Sequence, residues 1–467
     1  MPRNRGFAII LGLALAGLPA LGQMTPPIEP NVQEAPVPPA IEIPAPPSVP
    51  ADVPSRPLSA EEAALLALHH QPDLAAAQAA VTAAQVAVQV ARSALGPAVS
   101  VSAGYNRTIG TSGGTGGTTT GGTSGVFSGT TATATIRQLL YDYNHTRDLV
   151  RQAVARERVA QAGLTQAQSN LVLLVKLAFY NYVQNQRLVG VAEDTVRNQQ
   201  AHLALAQARL KVGLGLPYDV VRAQTAVADA IFNLTQARTN AILARVTLTQ
   251  QIGIDPRTPL VSAEENESAP PAPDLNQLAQ QALTRRPEIV QAQQSLQSAR
   301  SGLSAAQTNN APVVSGSAGW TDRDTSFPPN NSSFFVGVAA TWTPFDSGLT
   351  KGLVTQGQAG VQAAQAQIDS ATLGVLSDVT QSYLNLKTAE QHVATSETEL
   401  ANAQEGLRLA QGRYKAGLGV FLEVLDAENA LVTAATNRVN ALNALDQARA
   451  ALAHSVNADP VVAGTGK

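Results

Sequence analysis

An internal duplication dictates the architecture of this chain. The stretch Arg209–Ala226, RLKVGLGLPYDVVRAQTA, returns 204 positions later as Arg413–Ala430, RYKAGLGVFLEVLDAENA. In both copies a Gly-Leu-Gly triplet separates two long stretches rich in Ala, Gln and Leu, and glycine permits the left-handed turn that ends a helix. The acid that follows suits the first turn of the next helix, where the helix dipole favours negative charge. The chain is therefore predicted to form two helical hairpins, whose tips are Gly213-Leu214-Gly215 and Gly417-Leu418-Gly419.

Composition excludes several classes of protein. The chain is 44% hydrophobic but only 4% aromatic and 14% charged, which suits long helices that pack closely through small side chains. Its net charge of −3 provides no general attraction to nucleic acid. The absence of cysteine excludes disulfides, thiolate metal sites and cysteine nucleophiles.

Catalytic and cofactor motifs are not recognisable either. The six histidines are scattered, and the adjacent pair His69-His70 cannot face one metal ion from a helix. Gly213-x-Gly215 follows a helix rather than a strand, so it is not a dinucleotide fingerprint. We therefore predict that the protein is not an enzyme and holds neither a cofactor nor a metal ion.

The N-terminus has the composition of an export signal. Met1–Gly22 contains two arginines, an apolar run from Phe7 to Leu18 and a small-residue pattern before Gln23. A membrane anchor is the alternative, but the apolar run is shorter than the roughly 20 residues that a spanning helix needs. No later apolar run reaches that length, so the mature chain is expected to be exported without a spanning helix.

Two tandem repeats follow a proline-rich leader. Helices in both repeats restart at a proline, Pro72 and Pro287, 215 positions apart, whereas the tips lie 204 apart. The difference indicates a first loop that is 11 residues longer, and loops tolerate such insertions. The predicted divisions are the signal peptide 1–22, the extended leader 23–57, the first repeat 58–258 with a β-hairpin at about 98–138 and a tip at 212–218, the linker 259–273, the second repeat 274–457 with a β-hairpin at about 313–344 and a tip at 416–422, and the tail 458–467.

Four strands are predicted from a two-residue period. Apolar side chains alternate with Ser, Thr and Gly, which is typical of strands in an outer-membrane barrel with an apolar outside and a polar inside. A half-buried soluble sheet is the alternative, but the signal peptide and the strand length of roughly 10 residues favour the membrane. The aromatic residues expected at the membrane interfaces are Tyr105, Trp320, Phe334 and Trp342.

Strand number then predicts the assembly. Four strands cannot close a barrel, and open sheet edges are not tolerated in lipid. A homotrimer would supply a 12-stranded barrel and a tube of helices. The predicted fold class is therefore mainly α with a transmembrane β-barrel, built from long antiparallel helical hairpins and four β-strands per chain.

The duplicated plan and the tip motif resemble the TolC-like outer-membrane efflux protein family over about residues 59–457. The resemblance implies a homotrimeric channel-tunnel in the outer membrane of a Gram-negative-type cell, with its helical part in the periplasm. It also implies that a periplasmic adaptor protein docks on the tips and connects the channel to an inner-membrane transporter. Some members carry a lipidated cysteine after the signal peptide. Gln23 stands there in this chain, so no lipid anchor is expected.

Tip residues are the candidate functional sites. Leu214 and Leu418 are expected to be exposed for adaptor docking, although they could simply cap neighbouring helices. Glu423 and Asp426 share a helix face, and in the resembling family an inward-facing acidic ring lies here at the periplasmic entrance. The alternative is that both acids only favour the helix N-terminus, by about 0.3–1 kcal/mol each. That family also closes its entrance with a tyrosine, matched by Tyr414, and with an arginine, whose place is taken by Gly419.

We expect an outer-membrane duct that exports small molecules such as drugs, toxic compounds or metals as part of a tripartite efflux system, with a cation-selective entrance. One alternative is the exit duct of a type I system for proteins or polymers. Another is a structural periplasmic coiled coil without a pore, which would have no membrane strands. An adaptor protein is a third alternative, but it would need a lipoyl-like β domain that the sequence does not contain.

Overall fold

The computed structural model describes residues 36–39, 44, 56–111, 124–263, 274–324 and 331–458, with the side chains of 108–111 and 124–127 left aside. The predicted signal peptide and most of the leader and tail lie outside these residues. The elements are α1 (Ala60–His70), α2 (Pro72–Ser93), β1 (Ala98–Thr111), β2 (Ser124–Tyr141), α3 (His145–Lys211), α4 (Pro217–Ile252), α5 (Leu275–Arg285), α6 (Pro287–Gln307), β3 (Val313–Asp324), β4 (Ser332–Thr341), α7 (Leu349–Lys415) and α8 (Phe421–Ser455).

The duplication is visible in the order of elements, because two helices, a β-hairpin and a helical hairpin occur twice. The described residues divide into two compact units, one containing Val196–Phe232 and the other containing residues 56–195 and 233–458. Helix α7 has 67 residues, which corresponds to about 100 Å at 1.5 Å per residue. Helix α8 returns along it.

Helix starts follow the sequence signals. Ser59 and Glu62 form a reciprocal capping box at α1, and the Asp274 side chain accepts a hydrogen bond from the Asn276 amide at α5. Both α2 and α6 begin at a proline, where the missing N–H is not needed. Such local signals act within one turn of helix, which is why the sequence alone predicts them.

An aspartate turn joins each β-hairpin to its long helix. Asp142 and Asp346 each accept a hydrogen bond of 2.8 Å from the backbone amide four residues later. The two residues after each aspartate have positive φ, which allows the sharp change of direction. The hydrogen bond from Thr350 lowers the pKa of Asp346.

The four strands form one antiparallel sheet in the order β1-β2-β3-β4. The β1–β2 ladder extends from Ala98 opposite Arg137 to Thr111 opposite Ser124. The β2–β3 ladder ends earlier, at Thr130 opposite Asp324. The two-stranded part of β1 and β2 therefore continues beyond the four-stranded sheet. Among the described residues, no strand pairs with the outer edge of β1 or of β4.

One face of this sheet is apolar across all four strands. Val101, Ala134, Trp320 and Phe334 lie opposite one another in a row. Phe334 is 81% exposed and Val336 is 88% exposed, values abnormal for such side chains in water. The other face carries mainly Ser, Thr and Gly. The register confirms the predicted alternation.

Phe335 is an exception on the polar face. Its ring lies over Gly319 of the neighbouring strand, where an added Cβ would come within 2.7 Å of a ring carbon. The glycine therefore makes room for the aromatic ring, which remains 43% exposed.

Two apolar cores occupy equivalent positions in the repeats. The first joins α1 to α3 and α4, and the second joins α5 to α7 and α8. Corresponding residues are displaced by the same 215 and 204 positions that the sequence shows. The matching pairs include Ala63 and Leu278, Val175 and Val379, and Leu248 and Leu452. The duplication thus extends from the tips into the packing of both repeats.

Within the described residues, α2 is the helix long and apolar enough to cross a membrane by length and composition alone. The apolar runs of the sequence predict no spanning helix. The duplicate of α2, helix α6, packs along α7 and forms hydrogen bonds to α3, from Gln291 to Gln166 (2.7 Å) and from Ser304 to Asp148 (2.5 Å).

A buried arginine connects the start of α6 to α7. Arg286 is 6% exposed, and its guanidinium lies 3.0 Å from a carboxylate oxygen of Glu288 and 3.1 Å from one of Asp378. We expect Arg286→Met to lower the free energy of unfolding by about 2 kcal/mol, because two carboxylates lose their cation. The exposed neighbour Arg285 provides the control, since Arg285→Met should change it by less than about 0.5 kcal/mol. Denaturant unfolding of the detergent-solubilised protein measures both, and equal losses would contradict the assignment.

Candidate functional site: the hairpin tips

The second tip is a tight turn that reverses the chain between α7 and α8. Gly417 has φ of 76°, a left-handed conformation that glycine adopts without strain. The Leu418 amide donates to the Arg413 carbonyl (2.9 Å) and the Gly417 amide donates to the Tyr414 carbonyl (3.0 Å). These two bonds satisfy carbonyls that the end of α7 would otherwise leave unpaired.

The first tip repeats this geometry between α3 and α4. Gly213 has φ of 73°, and the Leu214 amide donates to the Arg209 carbonyl (2.9 Å). Helix α4 begins with Pro217. The duplicated sequence therefore folds into the same turn twice.

The second glycine of each triplet touches the preceding helix. A Cβ on Gly215 would lie 2.9 Å from the Leu210 amide nitrogen, and a Cβ on Gly419 would lie 3.2 Å from the Arg413 Cβ. At Gly215 the added Cβ would meet backbone, so glycine is required there for the turn to pass directly over the end of α3, whereas at Gly419 the closest atoms belong to side chains.

Both tips expose apolar side chains. Leu214 is 72% exposed and Leu418 is 76% exposed. The first tip also exposes Val212, Leu216 and Tyr218, and the second tip exposes Val420. A solvated turn would normally carry polar residues at such positions. The expectation that the tips dock a partner remains a prediction.

Tyr414 lies inside the second tip. Its side chain is 4% exposed, and its ring centroid lies 5.5 Å from that of Phe421. The aromatic pair joins the last turn of α7 to the first turn of α8. The predicted entrance tyrosine thus packs within its own hairpin in this structure.

Glu423 and Asp426 are exposed on α8, as their spacing indicates. The structure adds a residue that the sequence pattern did not single out, because Arg413 Nε lies 3.3 Å from Glu423 Oε2. The sequence does contain an indication of this ion pair, because the first copy also has an arginine and an acid at the two equivalent positions, Arg209 and Asp219. No arginine stands ten positions before Asp426, as Arg413 does before Glu423.

The interface aromatics divide between the two ends of the sheet. Trp320 lies opposite Phe334, and Trp342 follows Thr341, which lies opposite Val313 at the other end of the ladder. Tyr105, Phe334 and Trp342 are exposed, whereas Trp320 is half-buried. Membrane contact at these residues remains a prediction. In the part of the chain that the structure describes, no group of three His, Asp or Glu side chains is arranged to hold a metal ion.

Comparison with known proteins identifies the family. The model of the family described as "Outer membrane efflux protein" matches residues 64–254 and 278–458. Outer membrane efflux protein BepC of Brucella suis is 24% identical over 310 residues, which cover 65% of this chain and 67% of BepC. Protein CyaE of Bordetella pertussis is 29% identical over 318 residues, covering 65% of this chain and 66% of CyaE. The sequence alignments thus span about two thirds of these relatives.

A solved structure shows the same fold. The outer membrane protein VceC of Vibrio cholerae has a TM-score of 0.74 and 20% identity, over 85% of this chain and 95% of VceC. The family match covers both repeats, and each repeat contains one β-hairpin of the sheet and one helical hairpin. The chain belongs to the outer membrane efflux protein family.

Proposed function

We propose that this chain forms the outer-membrane channel of a tripartite efflux system and exports small molecules from the periplasm to the exterior. The observation that carries the proposal is a four-stranded sheet whose apolar face is exposed and whose edges are unpaired among the described residues. Open edges in lipid leave backbone groups unsatisfied, so the sheet must close with other copies. The efflux description of the family favours small-molecule export over a protein-export duct.

Three copies give the appropriate barrel. Two copies would supply eight strands, and side chains fill the interior of an eight-stranded barrel. Three copies supply twelve strands, and the Ser-, Thr- and Gly-rich inner face suits a water-filled lumen. A homotrimer in outer-membrane lipid therefore reconciles the sheet with a transport role.

The helices support closure by further copies. Helix α6 lies between α7 and α3 of its own chain, whereas its duplicate α2 exposes Val86 and Val90. If the repeats alternate around one axis, α2 occupies the equivalent position between its own α3 and the α7 of a neighbouring copy. This arrangement gives the apolar residues of α2 a protein partner and makes a membrane-spanning role for it unnecessary.

We further propose that Met1–Gly22 directs export and that the mature chain carries no lipid on cysteine, because Gln23 stands at the position after the signal peptide. The partners are a periplasmic adaptor protein at the tips and, through it, an inner-membrane transporter. Catalysis has no place in this function. The carboxylates of Glu423 and Asp426 would lie near the periplasmic entrance and attract cations.

Docking at the tips is tested by charge. We expect Leu214→Asp with Leu418→Asp to abolish export and adaptor cross-linking while trimers persist, because a carboxylate on an apolar contact surface must be desolvated. The measurements are drug sensitivity of cells, adaptor cross-linking and the size of the purified complex.

The matched control is Leu214→Met with Leu418→Met, which keeps the surface apolar and should export normally. Normal export by the aspartate variant would contradict docking at these leucines. Loss of the trimer in that variant would instead indicate that the leucines cap neighbouring helices.

A further inference from the structure

An ion pair crosses the turn of the second tip. Arg413 lies in the last turn of α7 and Glu423 in the first turn of α8, and the Arg413 Nε to Glu423 Oε2 distance is 3.3 Å. A second guanidinium nitrogen of Arg413 lies 3.5 Å from the Leu418 carbonyl oxygen. The Arg413 side chain therefore contacts both the backbone of the turn, at Leu418, and the first acid of α8, Glu423.

Gly419 leaves the space in which this pair forms. A Cβ there would lie 3.0 Å from Glu423 Oε2 and 3.2 Å from Arg413 Cβ. A methyl group at this position would crowd both members of the pair, and the carboxylate of Glu423 would have to shift to make room for it.

Within the described residues of the second tip, the neighbouring charges Asp426 and Lys415 are arranged differently from this pair. Asp426 is exposed one turn along α8, on the same face as Glu423. Lys415 is exposed but is displaced from Arg413 by about 200° around α7. At the tip, the cation next to the acidic face is thus Arg413.

We propose that Arg413 neutralises Glu423 at the entrance, so that Asp426 carries the unbalanced negative charge there and Arg413 tunes the affinity of the pore for cations. The inference rests on the proposed channel function. In a trimer, three Arg413 side chains would offset three of the six carboxylates that Glu423 and Asp426 supply. Arg413 is a specificity-determining residue in this account, and its pair with Glu423 contributes little to stability because both groups are solvated.

Single-channel recording with a trivalent cation complex added on the periplasmic side tests the proposal. We expect Arg413→Gln to lower the half-blocking concentration about fivefold or more, because each chain then presents Glu423 without its cation on the same helix face as Asp426. Arg413→Lys keeps the charge and should behave as the wild type. Asp426→Asn should weaken the block.

The double variant Arg413→Gln with Glu423→Gln provides the decisive comparison. This variant removes both charges of the pair, so its half-blocking concentration should match that of the wild type. Arg408→Gln is the matched control, since Arg408 pairs with Glu405 on α7 itself and not across the tip; it should leave the block unchanged.

The contrary outcomes are separable. The proposal is overturned if Arg413→Gln leaves the block unchanged, or if the double variant loses block as Asp426→Asn does. If Asp426→Asn channels conduct but their half-blocking concentration is unchanged, both the proposal and the acidic entrance are contradicted. The export-channel function is not affected by that result. A purified protein that forms no channels overturns the channel function itself.

Discussion

A variant carrying Gln236→Cys and Thr388→Cys will cross-link between chains, up to trimers, with a short bifunctional thiol reagent. A variant carrying Gln184→Cys and Asn440→Cys will cross-link only within one chain. The protein contains no native cysteine, so every product arises from the introduced pair. Denaturing gel electrophoresis of membranes treated with the reagent measures both.

The reason lies in the duplication. The Gln184 side chain donates to the Asn440 side-chain oxygen over 2.7 Å, and this bond joins α3 of the first repeat to α8 of the second. Thr388 is the duplicate of Gln184, and Gln236 is the duplicate of Asn440, each displaced by 204 positions. If repeats alternate around a closed ring, this second pair meets between neighbouring copies.

The two variants place cysteines at equivalent positions, with the two repeats exchanged. Reagent access and local helix geometry are therefore matched. Cross-linking of the Gln236–Thr388 pair within a single chain, or only to dimers at full reaction, would contradict the threefold ring. A soluble coiled coil without a barrel would fail to give the trimer in the outer-membrane fraction.

Replacement of Gly253 by alanine will destabilise the protein by about 3 kcal/mol or more. Gly253 ends α4 with φ of 87°, and an added Cβ would lie 2.8 Å from the His70 carbonyl oxygen and 2.9 Å from the Gln71 Cα. The left-handed conformation alone costs a non-glycine residue about 1–2 kcal/mol. The close atoms belong to backbone, so the clash cannot be relieved by a rotamer change.

Gly190→Ala is the matched control. Gly190 lies within α3 and a Cβ there would meet nothing within 4 Å, so alanine should stabilise the helix by about 0.5–1 kcal/mol. The apparent melting temperature of the detergent-solubilised protein measures both changes. Opposite shifts are expected. A fall of equal size in both variants would show that the assembly, rather than the contact at His70, decides the effect.

The second repeat has a different residue at the position equivalent to Gly253. Asn457 is the duplicate of Gly253 and has φ of 49°. Its side-chain amide donates to the Arg285 carbonyl (3.1 Å), and its side-chain oxygen accepts from the Ser169 hydroxyl (3.3 Å). Arg285 is itself the duplicate of His70. Thus a glycine allows direct backbone contact in one repeat, and an asparagine bridges the equivalent gap in the other.

Local patterns predict much of the fold. The alternation from Val99 to Tyr105 requires only a two-residue period, and the structure confirms both the strand and the shared apolar face. The Gly-Leu-Gly tips are predictable because the left-handed residue and the helix end are neighbours in sequence. The long helices follow from proline-free stretches rich in Ala, Gln and Leu between an aspartate turn and the glycine of the tip.

Contacts across turns are harder to predict. Arg413 and Glu423 are ten positions apart and meet because the turn brings the end of α7 next to the start of α8, with Gly419 close to both side chains. The packing of the Tyr414 ring on Phe421 is another such contact, and the entrance role of Tyr414 stays a prediction. In both cases the side chain's direction depends on the exact path of the turn, which composition and period do not encode.

The unequal strand lengths have a consequence at the far end of the sheet. Residues 106–111 and 124–129 pair with each other beyond the last residue pair of β2 with β3, a ribbon of about 20 Å at 3.4 Å per residue. A barrel in the outer membrane would present three such ribbons outside the cell. They would then be the parts of the molecule that antibodies, bacteriophages and proteases meet first, so a short epitope inserted between residues 111 and 124 should label intact cells without altering the apolar face.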